Sequence, residues 1–141
     1  ALGRVFSNSY MLSSDVNAAY DPLYSSVFDK RNASFFNNGV VFCKYTGARG
    51  KSGSNDANCE YIAKLRNVMD NNSVYYQMSE LGKVDAGGGG TIAYILANKN
   101  VNVIDCGVGL LSMHAPWEVV AKADIYEAYK CYMAFLKGIS N

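Results

Sequence analysis

An excess of either charge is missing from this chain: 13 lysines and arginines stand against 12 aspartates and glutamates, a formal net charge of +1. So balanced a sequence has no basic field for phosphate contacts, which excludes nucleic acid as a partner. Long apolar runs are missing too. None approaches the ~20 residues that a membrane-spanning helix needs, and the N-terminus lacks the charged, apolar and small-residue segments of a secretory signal. The expectation is a soluble chain with no membrane contact. Paired cysteine spacings are absent: Cys43, Cys59, Cys106 and Cys131 form no Cys-x-x-Cys and no Cys/His cluster. They read as reduced core thiols and point to a cytoplasmic location, because small secreted domains more often pair their cysteines to staple loops. Histidine occurs once, at His114, and one imidazole cannot make a zinc site.

What the chain does have is apolar patterning, with half of its residues hydrophobic. Val40 to Tyr45, Val74 to Met78 and Val101 to Cys106 read as buried strands. Between the first two, the spacing of Ile62, Leu65 and Met69 predicts a helix over about 55–70, with Ser54 as its N-cap and Asp56 in its first turn. A second helical stretch is expected from Thr91 to about Ala97, after the turn Gly87-Gly88-Gly89-Gly90. Ile125, Tyr129, Tyr132 and Leu136 predict a long closing helix with Gly138 at its C-cap. Alternating strands and helices argue for an α/β layer architecture with at least part of the sheet parallel. The first 38 residues read as one apolar stretch, Tyr10 to Leu12, followed by a long loop.

Ligands in such sheets gather outside the carboxyl ends of strands. Asp15, the tetraglycine turn and His114 each follow an apolar run, so they are expected to converge at one edge. Alone, Asp15 is a turn or cap aspartate more often than a hard oxygen ligand. His114 alone is a structural residue more often than a ligand, although Glu118 is placed to orient a metal-bound imidazole. The glycines match neither a P-loop nor a dinucleotide fingerprint. They are either mobile or needed for close backbone approach. Lys44, Arg49 and Lys51, set among glycines, form either a solvated loop or a reader of an acidic group.

Four segments occur together in order: Ser-Ser-Asp-Val-Asn-Ala-Ala from residue 13, Lys-Tyr-Thr-Gly-Ala-Arg-Gly-Lys-Ser-Gly-Ser-Asn-Asp-Ala from 44, Gly-Lys-Val-Asp-Ala-Gly-Gly-Gly-Gly-Thr from 82, and Val-Ile-Asp-Cys-Gly from 103 with Leu-Leu-Ser-Met-His-Ala-Pro-Trp-Glu from 110. This series resembles the aspartyl aminopeptidase and aminopeptidase I family of dinuclear zinc aminopeptidases, over nearly the whole chain. The resemblance implies a three-layer, zinc exopeptidase-like α/β sandwich with a mixed sheet, of which residues 1–141 are the C-terminal part. It implies two zinc ions per active site, with Asp15 and His114 as ligands of different ions, and substrate contacts at Lys44, Gly89, Gly90 and Met113. It also implies a peptide substrate and homo-oligomers, often dodecamers.

The family's other histidine, bridging aspartate, glutamate ligand and general-base glutamate belong to earlier sequence with no counterpart here, so no catalytic residue is assigned in this chain. The expectation is a fragment whose partner is the missing N-terminal part of the same protein. A second reading keeps the same residues as a non-catalytic α/β interaction module that has lost the site. Ala18 and Asp21 stand where acid-preferring relatives carry histidines, which counts against an aspartyl preference.

Overall fold

The computed structural model describes residues 1–48, 52–83 and 89–140. In chain order they form α1 (Leu2–Ser7), β1 (Tyr10–Ser14), β2 (Asn17–Ala18), a 3-10 helix (Pro22–Val27), β3 (Val40–Cys43), β4 (Tyr45–Ala48), β5 (Ser52–Asp56), α2 (Cys59–Asn71), β6 (Tyr76–Ser79), α3 (Ala93–Ala97), β7 (Asn102–Gly107), β8 (Gly109–Leu111), β9 (Val119–Val120) and α4 (Lys122–Gly138).

The main sheet has the order β1-β7-β3-β6. It is mixed, as expected: β1 runs parallel to β7 and β3 parallel to β6, while β3 and β7 are antiparallel. Side chains alternate across it. Val40, Phe42, Ile104 and Cys106 face one side, where they pack with Tyr61, Leu65 and Met69 of α2 and with Ala128, Cys131 and Ala134 of α4. Val103 and Met11 face the other side, against Ala93 and Leu96 of the α3 segment. Helices on both faces of one sheet make the expected three layers. Each fully buried large aliphatic or aromatic side chain contributes roughly 1.5–3 kcal/mol, and β3, buried at all four positions, contributes along its whole length.

Several boundaries differ from the sequence expectation. The helix predicted from 55 begins at Cys59, because Asn58 caps it: its Oδ1 accepts from Glu60 N at 2.8 Å and Tyr61 N at 3.2 Å. Ser54 and Asp56 lie instead in β5, which forms a hairpin with β4. That hairpin is pinned to the sheet by Asn55 Nδ2, which donates to Val103 O at 3.1 Å. The stretch expected from Thr91 is helical only over Ala93–Ala97. Gly138 lies inside α4 and does not cap it. A Cβ there would come within 3.1 Å of Val68 Cγ1, so the glycine lets α4 and α2 pack closely. In the N-terminal region β1 forms at the apolar stretch from Tyr10, α1 precedes it, and β2 and the 3-10 helix lie where a long loop was expected. Cys59 is exposed, so the core-thiol reading holds only for Cys43, Cys106 and Cys131, and all four thiols are free. Among the described residues no helix is long and apolar enough to cross a membrane.

β1 is an edge strand of the main sheet. Beside it, Tyr10, Leu12, Tyr132, Phe135 and Leu136 line an apolar groove, and Leu136 is 77% exposed.

Candidate metal and substrate site

Asp15 stands directly after β1. Its backbone N donates to Cys106 O at 3.2 Å, which holds the turn against β7. Gly107 makes the approach feasible, since a Cβ there would lie 1.6 Å from Asp15 O. Val16 N donates to Asp15 Oδ1 at 2.8 Å, and the carboxylate is otherwise at the surface.

His114 lies past β8 in a turn where Ser112 and His114 both take left-handed backbone angles, φ 58° and 66°. Such angles are sparsely populated for residues with a Cβ and need support from their surroundings. Part of that support is Glu118, whose Oε1 accepts from His114 N at 2.7 Å. Glu118 therefore holds the backbone of His114; the expectation that it orients the imidazole is replaced by this contact.

Lys44 sits between β3 and β4, exposed, with its ammonium paired to the Asp56 carboxylate. Gly89, Met113 and His114 line one groove together with Val27, Phe28 and Leu81. Gly90 is exposed beside it. Arg49, Lys51, Gly87 and Gly88 lie outside the described residues.

Asp15 lines a different cavity, together with Asn17, Cys43, Thr46, Thr91 and Asp105, and it has room for about one water. Leu81 walls both spaces. The convergence expected at one carboxyl edge is therefore partial. β1 and β7 point one way and β3 and β6 the other, so their carboxyl ends lie at opposite ends of the sheet. What brings the segments near is Leu81, together with Thr91 beside Asp15.

Asp105 lies within the motif from Val103 to Gly107, where the sequence alone assigns it no role. It is only 4% exposed. Its Oδ2 accepts from Thr46 Oγ1 and Thr91 Oγ1, each at 3.0 Å, while Oδ1 has no hydrogen-bond partner. Burial pushes its carboxyl above the ordinary aspartate range. The hydroxyls of Ser13, Thr91 and Thr46 pull it down, and the charge of Asp15 pushes with burial. Ser13 Oγ acts by proximity, since it makes no hydrogen bond of good geometry. The available signal was a carboxylate inside the apolar run Val103-Ile104-Asp105-Cys106, where an unpaired charge is costly. Opposite it in register, Cys43 is pushed to about 12, by burial first and the Asp105 charge second. A thiol so far above neutral pH is not a nucleophile.

An exposed carboxylate and an exposed imidazole are the right donor types for hydrolytic zinc. Their number is too small: zinc needs three or four protein ligands, and among the described residues no three His, Cys, Asp or Glu side chains lie close enough to hold a metal. The donors among the described residues fit part of a zinc centre and not a whole one.

The profile of the peptidase M18 family, described as aminopeptidase I zinc metalloprotease, matches residues 2–136. A probable M18 family aminopeptidase 1 of Clostridium acetobutylicum is 62% identical over 137 residues, 97% of this chain and 30% of that protein. The crystal structure of aminopeptidase I from the same organism superposes with a TM-score of 0.89 at 62% identity, covering 95% of this chain and 29% of that one. The M18 aminopeptidase structure from Thermotoga maritima gives a TM-score of 0.91 at 45% identity, over 97% of this chain and 30% of that one. The chain thus spans about 30% of the length of the curated relatives it matches. With nearly its whole length matched in sequence and in fold, the chain belongs to the peptidase M18 family of aminopeptidase I zinc metalloproteases.

Proposed function

We propose that the intact protein carrying this chain is a zinc aminopeptidase that releases N-terminal residues from peptides, and that this chain supplies part of its active site. The observation that carries the reading is one of coverage: 97% of the chain aligns with a relative of which it spans 30%. The remaining 70% of such a protein is where the missing ligands and the general-base glutamate belong. Asp15 and His114 each give one ligand to a different one of two zinc ions. Zinc, when bound, lowers the pKa of a water and polarises the scissile carbonyl.

The chain's own part is to hold and orient substrate. The groove of Val27, Phe28, Leu81 and Met113 is apolar and suits the side chain of an N-terminal residue. Gly90 is exposed, and Gly89 packs so closely under Leu81 that a Cβ there would lie 2.3 Å from Leu81 Cδ2. Lys44 does not line this groove, and an acidic substrate would have to compete with Asp56 for its ammonium. A cytoplasmic location and a homo-oligomer, often a dodecamer in the family, belong to the same proposal.

The test compares the intact protein with residues 1–141 alone on aminoacyl chromogenic substrates, with zinc, manganese or cobalt. The intact protein is expected to turn over at about 1 per second or faster and the isolated chain to show no metal-dependent turnover. Activity of the isolated chain at that rate, or none from the intact protein, contradicts the proposal.

A further inference from the structure

A buried carboxylate is costly unless its hydrogen bonds are satisfied, yet β7 carries Asp105 in an otherwise apolar run. Its side-chain bonds do not stay within the sheet. Oδ2 accepts from Thr46 of β4 and from Thr91, each at 3.0 Å, while Oδ1 is buried with no hydrogen-bond partner, and Asp105 lines the cavity that Asp15 also lines. Thr46 comes two residues after Lys44, and Thr91 directly follows Gly89 and Gly90. Ser13, the Cα partner of Asp105 on β1, comes two residues before Asp15. Three segments distant in sequence meet at one side chain, and each carries a residue of the proposed site. A valine at 105 would suit the strand, but it would leave the buried Thr46 hydroxyl without its acceptor and Thr91 untied.

We propose that Asp105 is a positioning residue: it ties the end of the glycine turn and the strand after Lys44 to the sheet beside Asp15, so that the substrate groove keeps a fixed place relative to the metal ligand. This rests on the aminopeptidase reading above. Asp105 acts through Thr46 and Thr91, and what it maintains is the placement of the substrate groove, so its loss is read as weakened substrate binding.

Replacing Asp105 itself risks unfolding, so the test uses Thr91→Val in the intact, zinc-loaded protein. This change removes one hydroxyl at nearly constant volume and leaves the Thr46 bond in place. The expected result is a KM raised about tenfold with kcat changed less and zinc content unchanged. Amide hydrogen exchange over residues 91–97 should speed up by a similar factor, and Thr91→Ser, which keeps the hydroxyl, should restore both. A purely structural bond would lower the melting temperature alone. Unchanged KM, or unchanged exchange at 91–97, overturns the proposal. If the wild-type protein has no aminopeptidase activity, the parent reading has failed on its own, and the exchange comparison still decides whether the Thr91 hydroxyl, which donates to Asp105 and accepts from Ala93 N at 3.3 Å, holds this segment.

Discussion

Cys43, Cys106, Tyr61 and Tyr132 share one electrostatic property: burial raises the pKa of each. The sign of its effect on stability is fixed. Between the ordinary thiol value of 9.0 and the native value of about 12, Cys43 keeps its proton in the folded protein and loses it when unfolded, so alkali favours unfolding. The contribution is complete below pH 9 and is lost as pH rises toward 12. Denaturant titrations at pH 8 and pH 10.5 are expected to show lower stability at the higher pH, by about 1.4 kcal/mol per pH unit for each group that ionises only when unfolded. Equal stability at both values would contradict the buried, protonated state.

Individual residues were unequally legible. Asp15 and His114 stand out because a carboxylate and a lone imidazole follow apolar runs inside recognisable motifs. Asp105 sits in one of those motifs, but its partners Thr46 and Thr91 are 59 and 14 residues away, a relation no local pattern encodes. Glu118 was in the right place for the wrong partner: sequence shows its nearness to His114 and not whether it meets the ring or the backbone.

Among the elements, long ones were readable and short ones were not. α2, α4, β3, β6 and β7 follow from apolar periodicity, with boundaries off by a few residues. β2 and β9 have two residues each, too few for any period. The β4–β5 hairpin was hidden because its strands are glycine- and polar-rich, and its pairing is stabilised through Asn55 bonding to another strand.

Caps decide the ends. Asn58 caps α2 with a local bond, whereas Asp124 at the start of α4 reaches across the fold. It is 1% exposed, and its two oxygens accept from Asn37 N and Gly39 N, each at 2.9 Å. It fixes the entry to β3. Asp124→Ala is therefore expected to destabilise by about 3 kcal/mol, the sum of two charge-assisted bonds, and Asn58→Ala by about 1 kcal/mol. Urea denaturation measures both, and an Asp124 effect no larger than that of Asn58 would refute the long-range anchoring role.

At the scale of the whole molecule, the chain builds a genuine three-layer core yet leaves a sheet edge at β1 and an apolar face on α4, where Ile125, Tyr129 and Leu136 are 49%, 59% and 77% exposed. Apolar faces of this kind mark contact surfaces, in keeping with a chain that spans 30% of its relative. The chemistry follows the same pattern, since among the described residues Asp15 and His114 are good donors without enough companions. In the proposed enzyme they belong to different ions of one two-zinc centre completed by the rest of the protein. Zinc content of the intact protein is the decisive measurement. About two zinc ions per chain are expected in the wild type, about one in His114→Ala, and weakened binding at the other position in Asp15→Ala. Two tightly held ions in His114→Ala, or loss of both ions from either single change, would contradict it.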